Sequence, residues 1–309
     1  YDLNWDSSNL TSYPYFNDPD NGDYSLSSYS PMIGAGAMSV TIDGITYEAP
    51  DTDILGNDRP SPSGTSPDIG AYESSESAAD YNPHKYVATS GSNSNSGVLT
   101  DPFLTIQYAI DQAQDDDIIH VAAGTYMENI DYSGKEISII GEDRETTIID
   151  GNQAGRVVKA GNNTHLANFT IRNGNNGPPN EEPFGGGIKS GSGNTFENLI
   201  ISGNVASHGG GIFINESILK NCLIMNNQAG FGGGIMIYGG NNNIINCTII
   251  DNTVDNNGSA ISIQGDTDAI ITNSIITNNE TVGSQHQIYY LDQHEGDLSM
   301  TVSYTMIDS

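Results

Sequence analysis

Glu197-Asn198-Leu199-Ile200-Ile201 is followed by Asn221-Cys222-Leu223-Ile224, Asn246-Cys247-Thr248-Ile249 and Asn273-Ser274-Ile275-Ile276, and preceded by Ala167-Asn168-Phe169-Thr170-Ile171. The aligned asparagines fall 30, 23, 25 and 27 positions apart. A second landmark keeps the step: Gly185-Gly186-Gly187-Ile188, Gly209-Gly210-Gly211-Ile212 and Gly232-Gly233-Gly234-Ile235, weakening to Gly258-Ser259-Ala260-Ile261. Two landmarks locked to one period of about 25 residues, with short strands and no internal helix, describe one turn of a solenoid. The Leu-dense consensus of leucine-rich repeats is absent. Alternate residues of a strand face one way. One inward stack is therefore Phe169, Leu199, Cys222, Cys247, Ser274, and the next is Ile171, Ile201, Ile224, Ile249, Ile276. Coils stacked about 4.8 Å apart put like on like, as a narrow core requires. Asn then sits at a bend, with its amide able to bond coil to coil, and the Gly triplets mark a second bend that excludes a Cβ.

Composition agrees. The 309 residues carry 39 Asp+Glu against 9 Lys+Arg, a net charge of −30, which argues against nucleic acid and anionic headgroups as partners. No apolar run approaches the roughly 18 residues of a membrane span. Hydrophobics are only 36%, but 36 Gly and 34 Asn, with 16% charged residues, replace them with turn formers and not with a solvated tail.

The repeats resemble the right-handed parallel β-helix of the pectate-lyase-like superfamily. The opening of such a helix is similar to Tyr86-Val87-Ala88-Thr89, Asp101-Pro102-Phe103-Leu104-Thr105-Ile106-Gln107 and Asp117-Ile118-Ile119-His120-Val121. A helix is predicted from Pro102 to Gln114, its Phe103, Ile106, Ile110 and Ala113 capping the end of the core. Residues 1–76 lack the repeat but carry Ser30-Pro31-Met32-Ile33-Gly34-Ala35-Gly36 and Pro67-Asp68-Ile69-Gly70-Ala71-Tyr72-Glu73. In the family such motifs close the last coil; Gly34 departs from the pattern, which usually has an acidic residue there. The chain thus reads as a closing segment (1–76), a linker (77–83), and an opening cap with coils (84–309). Three arrangements give that order: one unit of a tandem array, a subunit completing its neighbour, or a circular permutant.

The expected function is a structural module of an acidic extracellular fibre or surface adhesin, assembling head to tail with copies of itself. Tyr1, Trp5, Tyr13, Tyr15 and Phe16 are its candidate interface anchors. The alternative is a carbohydrate-active protein that binds or cleaves a polysaccharide. No catalytic set stands out. Arg156, Lys159, Arg172 and Lys189 could share one face of the early coils, but surface pairing is the plainer reading. Asp115-Asp116-Asp117 reads as a solvated turn. Ser207-His208-Gly209 is only loosely similar to the Gly-His-Gly of polygalacturonase-like enzymes and lacks the paired Asp residues. His120, His165, His286 and His294 show no metal-ligand spacing. Calcium is the candidate ligand of Asp18, Asp20 and Asp23, beside a turn. Cys222 and Cys247, one coil apart, are expected as buried thiols.

Overall fold

The computed structural model describes residues 14–42, 44–177, 182–281, 287–291 and 299–307. Two compact units result: Tyr1–Asn82 with Val98–Asp101, and Pro83–Gly97 with Pro102–Ser309. The second is a parallel β-helix. One coil shows the plan. Strand Thr195–Glu197 turns at Asn198 into Ile200–Ser202, which turns at Gly203-Asn204 into Val205–His208; the Gly triplet leads into Ile212–Ile214, and the next coil opens with Ile218–Lys220. Each strand pairs in parallel with its counterpart one coil on: Thr195 with Ile218, Ile200 with Leu223, Val205 with Gln228, Ile212 with Ile235. The result is an eight-stranded sheet, a five-stranded sheet, and a fourteen-stranded sheet in which Ile235–Ile245 and Ile261–Thr272 run unbroken from one coil into the next.

Both inward stacks are as the alternation predicts. Ile171, Ile201, Ile224, Ile249 and Ile276 are fully buried, as are Phe169 and Leu199, with Cys222, Cys247 and Ser274 at 2% exposure or less. Each buried Ile is worth roughly 1.5–3 kcal/mol relative to an exposed one. The two cysteines are free thiols that donate to Lys220 O and Ile245 O, both at 3.3 Å.

The bends follow from backbone sterics. Asn168, Asn198, Asn221, Asn246 and Asn273 all have φ between 49 and 64°, a left-handed conformation that Asn tolerates better than other side-chain-bearing residues. Their amides bond along the axis where geometry allows, Asn198 Nδ2 donating to Asn168 Oδ1 at 2.8 Å. At the glycine bend, a Cβ on Gly210 would lie 2.4 Å from Gln228 O and 2.6 Å from Gly233 O, so only glycine fits.

A second asparagine column is the main polar feature of the interior. Asn204, Asn227 and Asn252 are fully buried and Asn279 nearly so. Asn227 Oδ1 accepts from Asn204 N and Nδ2, both at 3.0 Å, while Asn227 Nδ2 donates to Ile201 O and Asn252 Oδ1, both at 2.9 Å. Asn252 repeats the pattern with Ile224 O and Asn279 Oδ1. Each amide thereby satisfies the bend above and below it.

The predicted helix is shorter than expected: it spans Ile106–Gln112, with Thr105 as N-cap accepting from Tyr108 N at 3.3 Å. Pro102–Leu104 is not helical, because Phe103 is held by backbone bonds to the first strand, His84–Val87 (Phe103 N to Tyr86 O, 2.8 Å). The carboxylate of Glu128 accepts from Ile106 N and Gln107 N, and Lys135 Nζ donates to the carbonyls of Ile110, Asp111 and Ala113. Both helix ends are thus satisfied, and Phe103, Ile106, Ile110 and Ala113 are buried as predicted.

In the first unit the motif Pro67–Glu73 is a carboxylate hub. Asp68 Oδ1 accepts from Gly34 N at 2.7 Å, so the backbone supplies a polar contact at the position where the resemblance expected an acidic side chain. Glu73 binds Arg59 Nε (2.7 Å), Ser61 N and Asp68 N.

Replacing Asn227 with Ala should cost about 3 kcal/mol or more, since it strands several buried polar groups. Asn198→Ala, at the half-exposed corner, should cost about 1 kcal/mol. Urea denaturation checks the order; equal losses would deny the interior column its role.

Candidate functional site: a groove lined by aromatic side chains and amides

Strands Val205–His208, Gln228–Phe231 and Thr253–Asn257 are neighbours in the five-stranded sheet. Ala206, Ala229 and Val254 are paired across these strands and are buried. These strands line a groove of about 300 Å³, to which Ala206 and Ala229 contribute and whose polar walls are Ser207, Gln228, Asp255 and Asn256. Register places His208 beside Phe231, their rings 5.4 Å apart and 20° from parallel. Phe184 extends the row: it bridges to His208 in parallel, with ring centroids 5.2 Å apart, and lies 5.0 Å from Phe213. Phe213 in turn stacks on Tyr238 at 6.2 Å, and Tyr238 is 49% exposed.

Burial pushes the His208 imidazole below its usual range, so the ring is neutral at pH 7. Its Nδ1 is buried with no hydrogen-bond partner among the described residues. In the sequence no paired carboxylates accompany His208. The structure agrees that one carboxylate, Asp255, lines the groove, yet places His208 within it.

The nine basic side chains are all engaged by their own fold. Arg172 pairs with Asp150 (2.8 Å), Lys159 with Asp131 (3.0 Å), Lys189 with Glu182 (2.6 Å), Lys220 with Glu197 (2.9 Å), Lys85 with Asp117 (3.3 Å) and Arg59 with Glu73 (2.7 Å). Arg156 donates to Phe184 O, Gly185 O and Glu182 O; Arg144 donates to Asn198 Oδ1; Lys135 caps the helix. The four grouped in the sequence do not share one face: Lys159 and Lys189 are in register, whereas Arg172 lies on the eight-stranded sheet. Asp117 corrects the solvated-turn reading of Asp115–Asp117, being 1% exposed and paired with Lys85.

The other expected positions scatter. Asp18 accepts from Asn21 N and Nδ2, and Asp23 from Ser25 N and Oγ, so both carboxylates serve their own turns. The Asp20 side chain lies outside the described residues, as do Tyr1, Trp5, Tyr13, His286 and His294. No group of three or more His, Cys, Asp or Glu suited to a metal occurs among the described residues. Tyr15 is buried, edge-on to Tyr29 at 5.3 Å; Phe16 packs on Tyr24 and lines an apolar recess of about 350 Å³ in the first unit. His120 meets His84, which no local spacing indicates: Nδ1 and Nε2 are 3.0 Å apart, and Tyr86 stacks on His120.

Residues 85–231 match the family model described as "Pel9A-like, right handed beta helix region". That stretch is a right-handed parallel β-helix. Among solved structures, pectate lyase Pel9A is similar with a TM-score of 0.53 and 18% identity, over 72% of this chain and 62% of that one. Two pectin methylesterases are more distant: carrot, TM-score 0.43, 16% identity, 74% and 84% covered; and Erwinia chrysanthemi PemA, 0.44, 13%, 74% and 90%. No curated protein matches the chain.

Burial lowers the pKa of His84, His120, His165 and His208 alike. The unfolded chain then takes up protons first as pH falls below about 6.5, so stability is held above that pH and lost below it. The melting temperature should drop between about pH 7 and pH 5.5, and the slope should be shallower in His120→Gln. A flat profile would contradict the burial of these rings.

Proposed function

We propose that this β-helix is a carbohydrate-active protein that binds a polysaccharide in the groove over the five-stranded sheet. The observation that carries this is the pairing of two stacked rings, His208 and Phe231, with Ser207, Gln228 and Asn256 in one groove, Phe184 packing against His208 beside it. Rings offer apolar surface to the C–H faces of sugars, while hydroxyl and amide groups exchange hydrogen bonds with sugar hydroxyls. The fold shared with pectate lyase Pel9A supports a carbohydrate-active reading. A polysaccharide ligand implies work at or outside the cell surface.

Binding is better supported than cleavage. Abstraction of a proton from an acidic sugar calls for a free basic side chain, and all nine Lys and Arg have partners in the fold. Glycosidic hydrolysis calls for two positioned carboxylates, and one lines the groove.

Head-to-tail assembly is a second reading, favoured by one observation. Strands Ser299–Ser303 and Met306–Ile307 are the last described edges of their sheets, and Val302, Tyr304, Met306 and Ile307 are exposed there. A stacked copy, or a further coil, would cover such an edge. The two readings are compatible, since the groove runs along the side of the helix.

Phe231→Ala should weaken polysaccharide binding about tenfold or more, the scale of a lost aromatic anchor. Affinity electrophoresis through polysaccharide-containing gels measures it; wild-type mobility in every gel would refute the binding reading. Sedimentation velocity over a wide concentration range tests assembly, which predicts growth in mass with concentration and is contradicted by a constant monomer.

A further inference from the structure

We infer that the groove selects uncharged polysaccharide over polyuronate, a refinement that rests on the binding reading above. Every positive charge of the chain is accounted for within the fold. The chain has nine Lys and Arg, none after Lys220, and each is held by a carboxylate or carbonyl of its own fold. None of them lines the groove. The one imidazole there, His208, is kept neutral by burial against Phe184 and Phe231.

What does line the groove suits hydroxyls. Gln228 and Asn256 each carry an amide donor and acceptor, Ser207 offers a hydroxyl, and Phe231 supplies apolar surface. Asp255 is the only formal charge among the lining side chains, and it is exposed and negative. A polymer with a carboxylate on every sugar would meet Asp255 and the field of a chain of net charge −30 with no compensating cation. A bridging divalent cation would need several oxygen ligands from the protein. One carboxylate lines the groove, and no cluster of three or more acidic or metal-binding groups exists among the described residues. An uncharged glycan avoids both costs.

The test uses the 309-residue chain, with galactomannan and xyloglucan as uncharged probes and polygalacturonate as the charged one, at about 0.15 M salt, with and without calcium. The expected result is binding to an uncharged probe at least about tenfold tighter than to polygalacturonate in both conditions, and loss of that binding in Phe231→Ala. Asp255→Lys should shift the ratio toward polygalacturonate by about tenfold. Equal or tighter binding of polygalacturonate, its rescue by calcium, or an unchanged ratio in Asp255→Lys would overturn the inference while leaving polysaccharide binding in place. Failure of all three polymers to bind would remove the binding reading itself and this refinement with it.

Discussion

Every coil must repeat the backbone path of the coil beneath it, in register, about one strand spacing away. That constraint decides which residues are allowed almost everywhere else. A side chain inside the coil meets its own counterpart above and below, so the interior tolerates columns of one shape: Ile171 through Ile276 is such a column, and Phe169, Leu199, Cys222, Cys247 and Ser274 form a tapering one. A backbone amide freed at a bend has no strand partner there, so it needs a side chain that recurs at the same place in each coil. The column from Asn204 to Asn279 meets that need with one amide per coil. Asparagine suits it because one short side chain both donates and accepts, and therefore continues the chain of bonds without a break.

The same constraint explains what was legible in the sequence. Periodicity in one dimension becomes stacking in three, so the Ile column, the corner asparagines and the glycine bends could be read from spacing alone. The interior asparagines carried the same signal, six residues after four of the five corner asparagines (198 and 204, 221 and 227, 246 and 252, 273 and 279), but an Asn-rich composition hid it. Non-periodic features were not legible. The helix start moved to Ile106 because Phe103 was claimed by the first strand. The His84–His120 contact joins the first two coils, which are 36 residues apart and precede the regular repeat. The row of rings, by contrast, follows the repeat, since Phe184, His208 and Phe231 each stand directly before a Gly triplet.

Charge tells a related story. With 39 acidic and 9 basic residues, the fold uses its few cations as internal ties. Lys135 closes the C-terminal end of the helix, Arg144 reaches the corner asparagines at Asn198 and Asn221, and Arg59 holds the carboxylate hub of the first unit. Cations spent this way are not free for an acidic ligand. The acidic surplus is left at the surface, where solvent and salt screen it.

A solenoid also turns any outward column into a linear array, and this bears on what kind of ligand fits. The rings of Phe184, His208 and Phe231 recur at 5.2 and 5.4 Å because their positions recur in successive coils. An array with that repeat offers equivalent apolar surface at successive steps along the axis, which suits a polymer of similar units better than a small molecule. The interior cannot vary without breaking its columns, whereas an outward column can exchange Phe for His or Gln for Thr between coils at little structural cost. Variation between coils is therefore confined to the outward residues beside the glycine bends, on a scaffold whose inward residues are fixed by stacking.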